Sequence, residues 1–308
     1  MTENTAYDSA VYCTEELLTA VGLHSQLICL SVLNIILAIT AIVGNTLILI
    51  ALQKETSIHP PSKVLFRSLA STDLCVGMIQ PLHVVYWLAV MHKRWQICHY
   101  IFLLQSVSGT ILIGVSLASI TAISVDRLLA LLLGVGYRQV VTLKRMYLAA
   151  VVFWIYSFVG AGIGFYSRGA WRIYASVSIL VCMITTICCY TRIFLRLRHH
   201  QTQVLSNAQE QANRTISLNI ARYRKSVSSA MWVQLTLLFC YLPYMVVAPF
   251  AYPAIRSRLS SPFYVVLHAL VTLLLANSSL NPIVYCWKIK EVRRAVKDTL
   301  TQLLFSQN

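Results

Sequence analysis

Only two of the ten Asp and Glu residues, Asp73 and Asp126, fall inside apolar runs of this chain. A carboxylate in hydrocarbon costs several kcal/mol unless it faces other polar groups, so such a residue usually marks a working site. Three kinds of chemistry fit it: holding a cation, relaying a proton, or restraining a positive side chain. Asp126 is followed directly by Arg127, which suits the third, although an adjacent acid and base at a membrane boundary can also be a plain ion pair. Asp73 sits mid-run, and its neighbours must decide its role. Asn45, after Gly44, can join helices through its amide. Pro243 and Pro282 can kink the runs that hold them. No nucleophile–base set and no metal-ligand cluster stands out, and the nine cysteines include no C-x-x-C pair. The chain does not read as an enzyme.

These groups need elements that keep them away from lipid. The chain is 57% hydrophobic and 11% charged, against about 25% charged in ordinary soluble domains. About 20 apolar residues at roughly 1.5 Å each cross a bilayer core. Seven runs qualify: Leu27–Leu52, Val64–Val90, Ile97–Leu133, Tyr147–Tyr166, Ile173–Leu197, Val227–Ala251 and Phe263–Trp287. The third is long enough to tilt strongly or to protrude, and no internal repeat is visible. The expected fold class is an all-α membrane protein, a seven-transmembrane helix bundle with an amphipathic eighth helix. Residues 1–26 carry Glu3, Asp8, Glu15 and Glu16 but no Lys or Arg, which reads as an extracellular segment and not as a signal peptide. Residues 27–287 form the bundle. In residues 288–308, Val292, Val296, Leu300 and Leu303 recur at helical spacing among basic residues, as in a helix lying on the inner leaflet.

With the N-terminus outside, only Lys93, Arg94, Arg168, Arg172, Arg256 and Arg258 of the 25 Lys and Arg fall on the outer side. The rest fall on the inner side, the asymmetry of a cytoplasmic face meeting anionic membrane lipid. The net charge of +15 is thereby explained without nucleic acid. The expected location is the plasma membrane, multi-pass, with the C-terminus cytoplasmic.

The polar positions fall one motif to a run: "GNTLI" at Gly44, "SLASTD" ending at Asp73, "SVDRLLA" at Ser124, Trp154, "YTRIFLRLR" from Tyr190, "CYLP" from Cys240, and "NSSLNPIVY" from Asn277. This ordered set resembles the rhodopsin-like (class A) G-protein-coupled receptors over about residues 25–304. The resemblance implies roles. Arg127 would receive a heterotrimeric G protein when the inner face opens, and Asp126 would hold it at rest. Tyr190 and Tyr285 would swing in to support the open form, with Tyr241, Pro243, Asn281 and Pro282 in the same switch. Asp73, Ser116, Asn277, Ser278 and Asn281 match the family's sodium pocket, and one carboxylate plus neutral oxygens suits a hard cation. No other cofactor is implied. Pro282 leaves a carbonyl without its donor, and Asn281, or Asp73 across the bundle, is the expected partner.

Departures from the family pattern matter. Tyr241 stands where tryptophan is usual, Leu237 where an aromatic is common, and Cys182 where the fifth run usually has proline. The third motif reads "DRL", and "ARYRKSV" at the inner end of the sixth run has no acid to latch Arg127. A missing latch lowers the barrier to opening, so high basal activity is expected. The second outer loop, about Ser167–Arg172, is very short and has no cysteine, so Cys98 cannot make the usual bridge. A bond from Cys98 to Cys13 and two free thiols are both open. The short loop and Cys182 resemble the melanocortin, cannabinoid, lysophospholipid and adenosine branch. Asn213 and Asn277 begin glycosylation sequons, but on segments expected inside the cell or inside the membrane.

For the extracellular ligand the sequence supplies mostly exclusions. Gly109 stands where amine receptors carry an aspartate, Leu275 where retinal proteins carry a lysine, and Ala248 where adenosine receptors carry an asparagine. The acids of melanocortin receptors are absent, with His83 instead. What remains is an apolar pocket with His83, Ser106, Gly109, Thr110, Tyr174, Ser178, Tyr244, Met245 and His268, under a basic rim. Such a pocket leans toward an amphipathic acid or lipid, or an acidic peptide. The rim can equally be ordinary solvated loop charge. A transporter would need several buried charges along a path, and only Asp73 fits. A receptor-like scaffold that pairs with another receptor without coupling is the remaining alternative, since the sixth run is atypical.

Overall fold

The computed structural model describes residues 13, 23–54, 59–206, 235–248, 250, 261–288, 293–294, 296–298 and 301. The inner end of the sixth run, Asn213, Arg256, Arg258, Val292, Leu300 and Leu303 lie outside the described residues, as does the side chain of Arg168.

Helix α1 spans Leu23–Lys54, α3 Trp95–Leu133, α4 Leu143–Tyr166, α5 Arg168–Ser206 and α7 Ser261–Lys288. Helix α2, Pro60–Met91, is interrupted, and the shorter apolar helix α6 is Leu235–Ala248. Six of these are long and apolar enough to cross a membrane. Among the described residues there is no strand.

The burial pattern is inverted relative to a water-soluble protein. On α1, Ile28, Val32, Ile36, Ile39 and Val43 are each more than half exposed and form one helical stripe. The buried positions include Asn34, Asn45, Thr72, Asp73, Ser116, Ser119, Gln80 and Asn281. Lipid solvates the apolar stripe, whereas the polar side chains must satisfy one another inside. The fold is thus organised around its polar groups as much as its apolar ones.

Local breaks follow from composition. Pro60 and Pro61 open α2, where no intrahelical N–H is needed. Pro81 splits it: the helix halts at Gln80 and restarts at Leu82, with His83 N–H bonding Gln80 O at 3.1 Å and Val84 N–H bonding Pro81 O at 3.0 Å. Helix α3 has 39 residues, about 58 Å at 1.5 Å per residue, which is longer than a bilayer core of about 30 Å. It packs against α2, α4 and α5, while α7 packs against α1 and α2.

The expected loop Ser167–Arg172 is not a loop. A single residue, Ser167, separates α4 from α5. Its N–H closes α4 on Ile163 O at 2.8 Å, its carbonyl accepts Trp171 N–H at 2.9 Å, and its Oγ accepts Ala170 N–H at 3.3 Å. One serine therefore ends one helix and caps the next, and the residues beyond it are already the first turns of α5. Residues 293, 294, 296–298 and 301 of the expected eighth helix are helical. Val296 among them is buried against the main core.

Candidate functional site

Among the described residues, two polar centres and a cavity stand out inside the bundle. The first centre is Asp73, fully buried on α2. Its Oδ1 accepts hydrogen bonds from Ser116 Oγ on α3 at 3.2 Å and Ser278 Oγ on α7 at 2.8 Å, and its Oδ2 accepts from Asn281 Nδ2 at 2.8 Å. One acid thus joins three helices. Asn277 is buried too, and neither its side-chain oxygen nor its nitrogen is hydrogen-bonded; Asn281 Oδ1 is also without a donor. Buried amide oxygens rarely go unsatisfied. Beside a carboxylate and two hydroxyls they make an oxygen-rich set, the donor chemistry of a small hard cation.

The carbonyl freed by Pro282 belongs to Ser278, four residues earlier. Asn45 Nδ2 on α1 donates to that carbonyl at 3.0 Å, and also to Ala41 O at 2.8 Å. This corrects the expectation that Asn281 or Asp73 would serve, since Asn281 is spent on Asp73 and a carboxylate cannot donate. Asn45 can reach because Gly44 has no side chain: a Cβ there would sit 2.8 Å from Pro282 Cβ. Ser279 Oγ donates to Leu37 O at 2.8 Å, and Asn34 Nδ2 to Thr272 Oγ1 at 2.9 Å. Helix α1 therefore holds α7 at three levels.

The second centre lies at the inner end of α3. Asp126 accepts hydrogen bonds from Ser62 Oγ at 3.0 Å and from Tyr137 Oη at 2.6 Å. The guanidinium of Arg127 stands 5.7 Å from the centroid of the Phe66 ring, over its face. The ring of Tyr285 meets Phe66 edge-on at 5.6 Å, and its hydroxyl is buried without a hydrogen bond. Tyr190 is buried, its hydroxyl accepting from Ser124 Oγ at 3.4 Å. Tyr241 and Leu237 are buried in the same core on α6, and Pro243 lies two residues beyond Tyr241 on that helix.

Phe66 touches both Arg127 and Tyr285, which the sequence pattern did not reveal. A cation over an aromatic face contributes about 0.5–2 kcal/mol, and an aromatic edge-on pair about 0.5–1.5 kcal/mol. Phe66→Leu keeps the apolar volume but loses both. It is expected to raise basal nucleotide exchange severalfold at equal surface expression, whereas Phe66→Tyr should not. Unchanged basal exchange in the leucine variant would contradict a restraining role for this ring.

The cavity occupies the outer half and has a volume of about 310 Å³. Of the expected pocket residues it brings together His83, Ser106, Gly109, Thr110, Tyr174, Ser178, Tyr244 and His268. Met245 does not line it and packs on the main core instead. Gln105, Trp171 and Arg172 were not singled out as pocket residues, yet all three line it. Arg172 enters because α5 begins early. That first turn is pinned to α4: Trp171 lies on Gly164, where a Cβ would be 3.2 Å from its Cδ1, and the Tyr174 ring lies against Gly160, where a Cβ would overlap it. Tyr174 Oη also donates to Tyr156 O at 2.7 Å. On the opposite wall the His268 ring stacks on Tyr86 and meets Trp87 edge-on at 4.6 Å. Cys13 and Cys98 are joined as a disulfide, which ties the outer end of α3 to the segment before α1.

The family model for the seven-transmembrane receptors of the rhodopsin family matches residues 44–172. The sheep (Ovis aries) adenosine receptor A3 is 27% identical over 289 residues, covering 84% of this chain and 86% of that protein. The human (Homo sapiens) melanocortin receptor 5 is 22% identical over 275 residues, covering 86% and 82%. The crystal structure of squid rhodopsin superposes with a TM-score of 0.70 at 17% identity, covering 90% of this chain and 86% of that one. That last likeness concerns the fold alone. The matched segment carries Gly44, Asn45, Asp73, Asp126 and Arg127, the positions around which both polar centres are built. Over these shares of its length the chain is similar to the class A, rhodopsin-like G-protein-coupled receptors, adenosine and melanocortin receptors among them.

Proposed function

We propose that this receptor passes an extracellular signal to heterotrimeric G proteins, with Arg127 as the residue the G protein engages. The observation that carries the reading is the pairing of two centres through α7: Asn281 bonds Asp73, and Tyr285, one turn beyond, contacts the Phe66 ring that also faces Arg127. A change at the Asp73 centre can reach the inner face along one short helical segment that Pro282 has weakened. Asp73, Ser116, Asn277, Ser278 and Asn281 would hold sodium. The ion would supply positive charge against the carboxylate and favour the arrangement in which these five residues stay together. The basic residues support an outer N-terminus and a cytoplasmic C-terminus. The lack of an acid in "ARYRKSV" supports appreciable basal signalling.

The ligand class is an amphipathic acid. Arg172 lines the cavity, and no Asp or Glu does among the described residues. An amine would find no counter-ion there, while an anion would find one beside a largely apolar interior. Adenosine, named in one set of relatives, fits less well: Ala248, in place of asparagine, is buried against Cys98 and Trp87 and is not part of the cavity wall. The test is a G-protein activation panel on the full-length receptor with medium- and long-chain acids, cationic amines and adenosine. Activation by acids in wild type, weakened at least tenfold in Arg172→Gln, supports the reading. Activation by an amine or adenosine, insensitive to Arg172, contradicts it.

A further inference from the structure

We infer that the ligand carries a second oxygen function besides its anionic end, and that Gln105, with His83 in the same lining, reads it. This rests on the acid reading above. The side-chain nitrogen Nε2 of Gln105 on α3 is buried and has no hydrogen-bond partner, while the His83 ring on α2 is buried against the Gln80 backbone. Both residues line the cavity. A buried donor without an acceptor costs about 1–3 kcal/mol, so a site that keeps one is complete only when something supplies the acceptor. Buried water can do this, and so can a ligand oxygen, which then gains what the empty site lacks.

The two polar ends are presented by different helices. Arg172 is presented from the first turns of α5, which the seats on Gly160 and Gly164 fix against α4. Gln105 and His83 belong to α3 and α2, next to the wall where His268 packs on Tyr86 and Trp87. Deeper in the cavity the lining is apolar, with Ile113, Leu117, Ile179, Val271, Leu274 and Leu275. A simple fatty acid would satisfy Arg172 and the apolar lining but bury Gln105 Nε2 under hydrocarbon. A terminal hydroxyl or carbonyl removes that penalty. Discrimination built on a buried polar group left unpaired is much steeper than discrimination by shape. The cavity therefore selects against the plain acid by more than its volume alone would.

The experiment uses the purified full-length receptor in lipid nanodiscs, reading thermal stabilisation against ligand concentration. The probes are dodecanoic acid and 12-hydroxydodecanoic acid, on wild type, Gln105→Met, His83→Phe and Arg172→Gln. The expected result is at least tenfold tighter half-saturation by the hydroxy acid in wild type. Gln105→Met, close in shape to glutamine, should bring the two acids within about twofold without weakening the plain acid. His83→Phe should do the same to a smaller extent, and Arg172→Gln should weaken both acids alike. Equal binding of the two acids to wild type, or a preference that survives in both Gln105→Met and His83→Phe, overturns the inference while leaving the acid reading intact. Binding by neither acid overturns both.

Discussion

Replacing Gly44 with valine is expected to remove most of the folded receptor from the cell surface. The position admits no Cβ, because Pro282 Cβ and Cγ would stand 2.8 and 2.9 Å away. The neighbour cannot yield, because it is a proline ring fixed to the α7 backbone. Overpacking alone costs about 1–3 kcal/mol. Prising α1 from α7 also withdraws Asn45 from the Ser278 carbonyl, leaving an acceptor that Pro282 cannot satisfy. An orphaned buried acceptor adds about 1–3 kcal/mol, so the two together consume a large part of a typical stability of about 5–15 kcal/mol. Asn45→Ala removes only the hydrogen bond and should be milder. Surface labelling and thermal unfolding of both variants check the order; a valine variant as abundant and stable as wild type would contradict the tight α1–α7 contact.

Asp73→Asn is expected to abolish sodium dependence. With sodium held by Asp73 and its neighbours, the wild-type receptor should unfold at a higher temperature in sodium than in an equal concentration of N-methylglucamine. A tenfold excess over the dissociation constant contributes about 1.4 kcal/mol, or a few degrees for a domain of this size. Asparagine preserves the shape, its oxygen can still accept from Ser116 and Ser278, and its amide N–H can donate to Asn281 once that amide turns its oxygen inward, but it carries no charge to attract the ion. Agonist binding should likewise lose its response to sodium. A variant that keeps the full sodium-dependent shift would place the ion elsewhere.

How much of this was legible in the sequence varies with the kind of feature. The seven apolar runs followed from hydropathy, and the gathering of Asp73, Ser116, Ser278 and Asn281 from the resemblance to class A receptors that the motif order carries. The partner of the freed carbonyl was misread. Proline announces that a carbonyl is free but not which neighbouring helix lies against it, and the decisive residue, Gly44, matters by what it lacks. The start of α5 was misread for a related reason: charge at Arg168 and Arg172 suggested a loop, yet the Oγ of one serine suffices to cap a helix there. Phe66 carried no signal at all, since one phenylalanine among many apolar residues becomes distinctive only when Arg127 and Tyr285 are seen against its two aspects. Gln105 was likewise an ordinary polar residue in the sequence until its amide proved buried and unpaired.

The most direct test of signalling through the inner end of α3 is guanine-nucleotide exchange on purified heterotrimeric G proteins with the receptor reconstituted in nanodiscs. Wild type is expected to accelerate exchange above receptor-free discs even without ligand, and Arg127→Ala to return it to that background while folding equally well. Acceleration that persists undiminished in Arg127→Ala, or a wild type no faster than empty discs in the presence of its activating acid, would contradict the account.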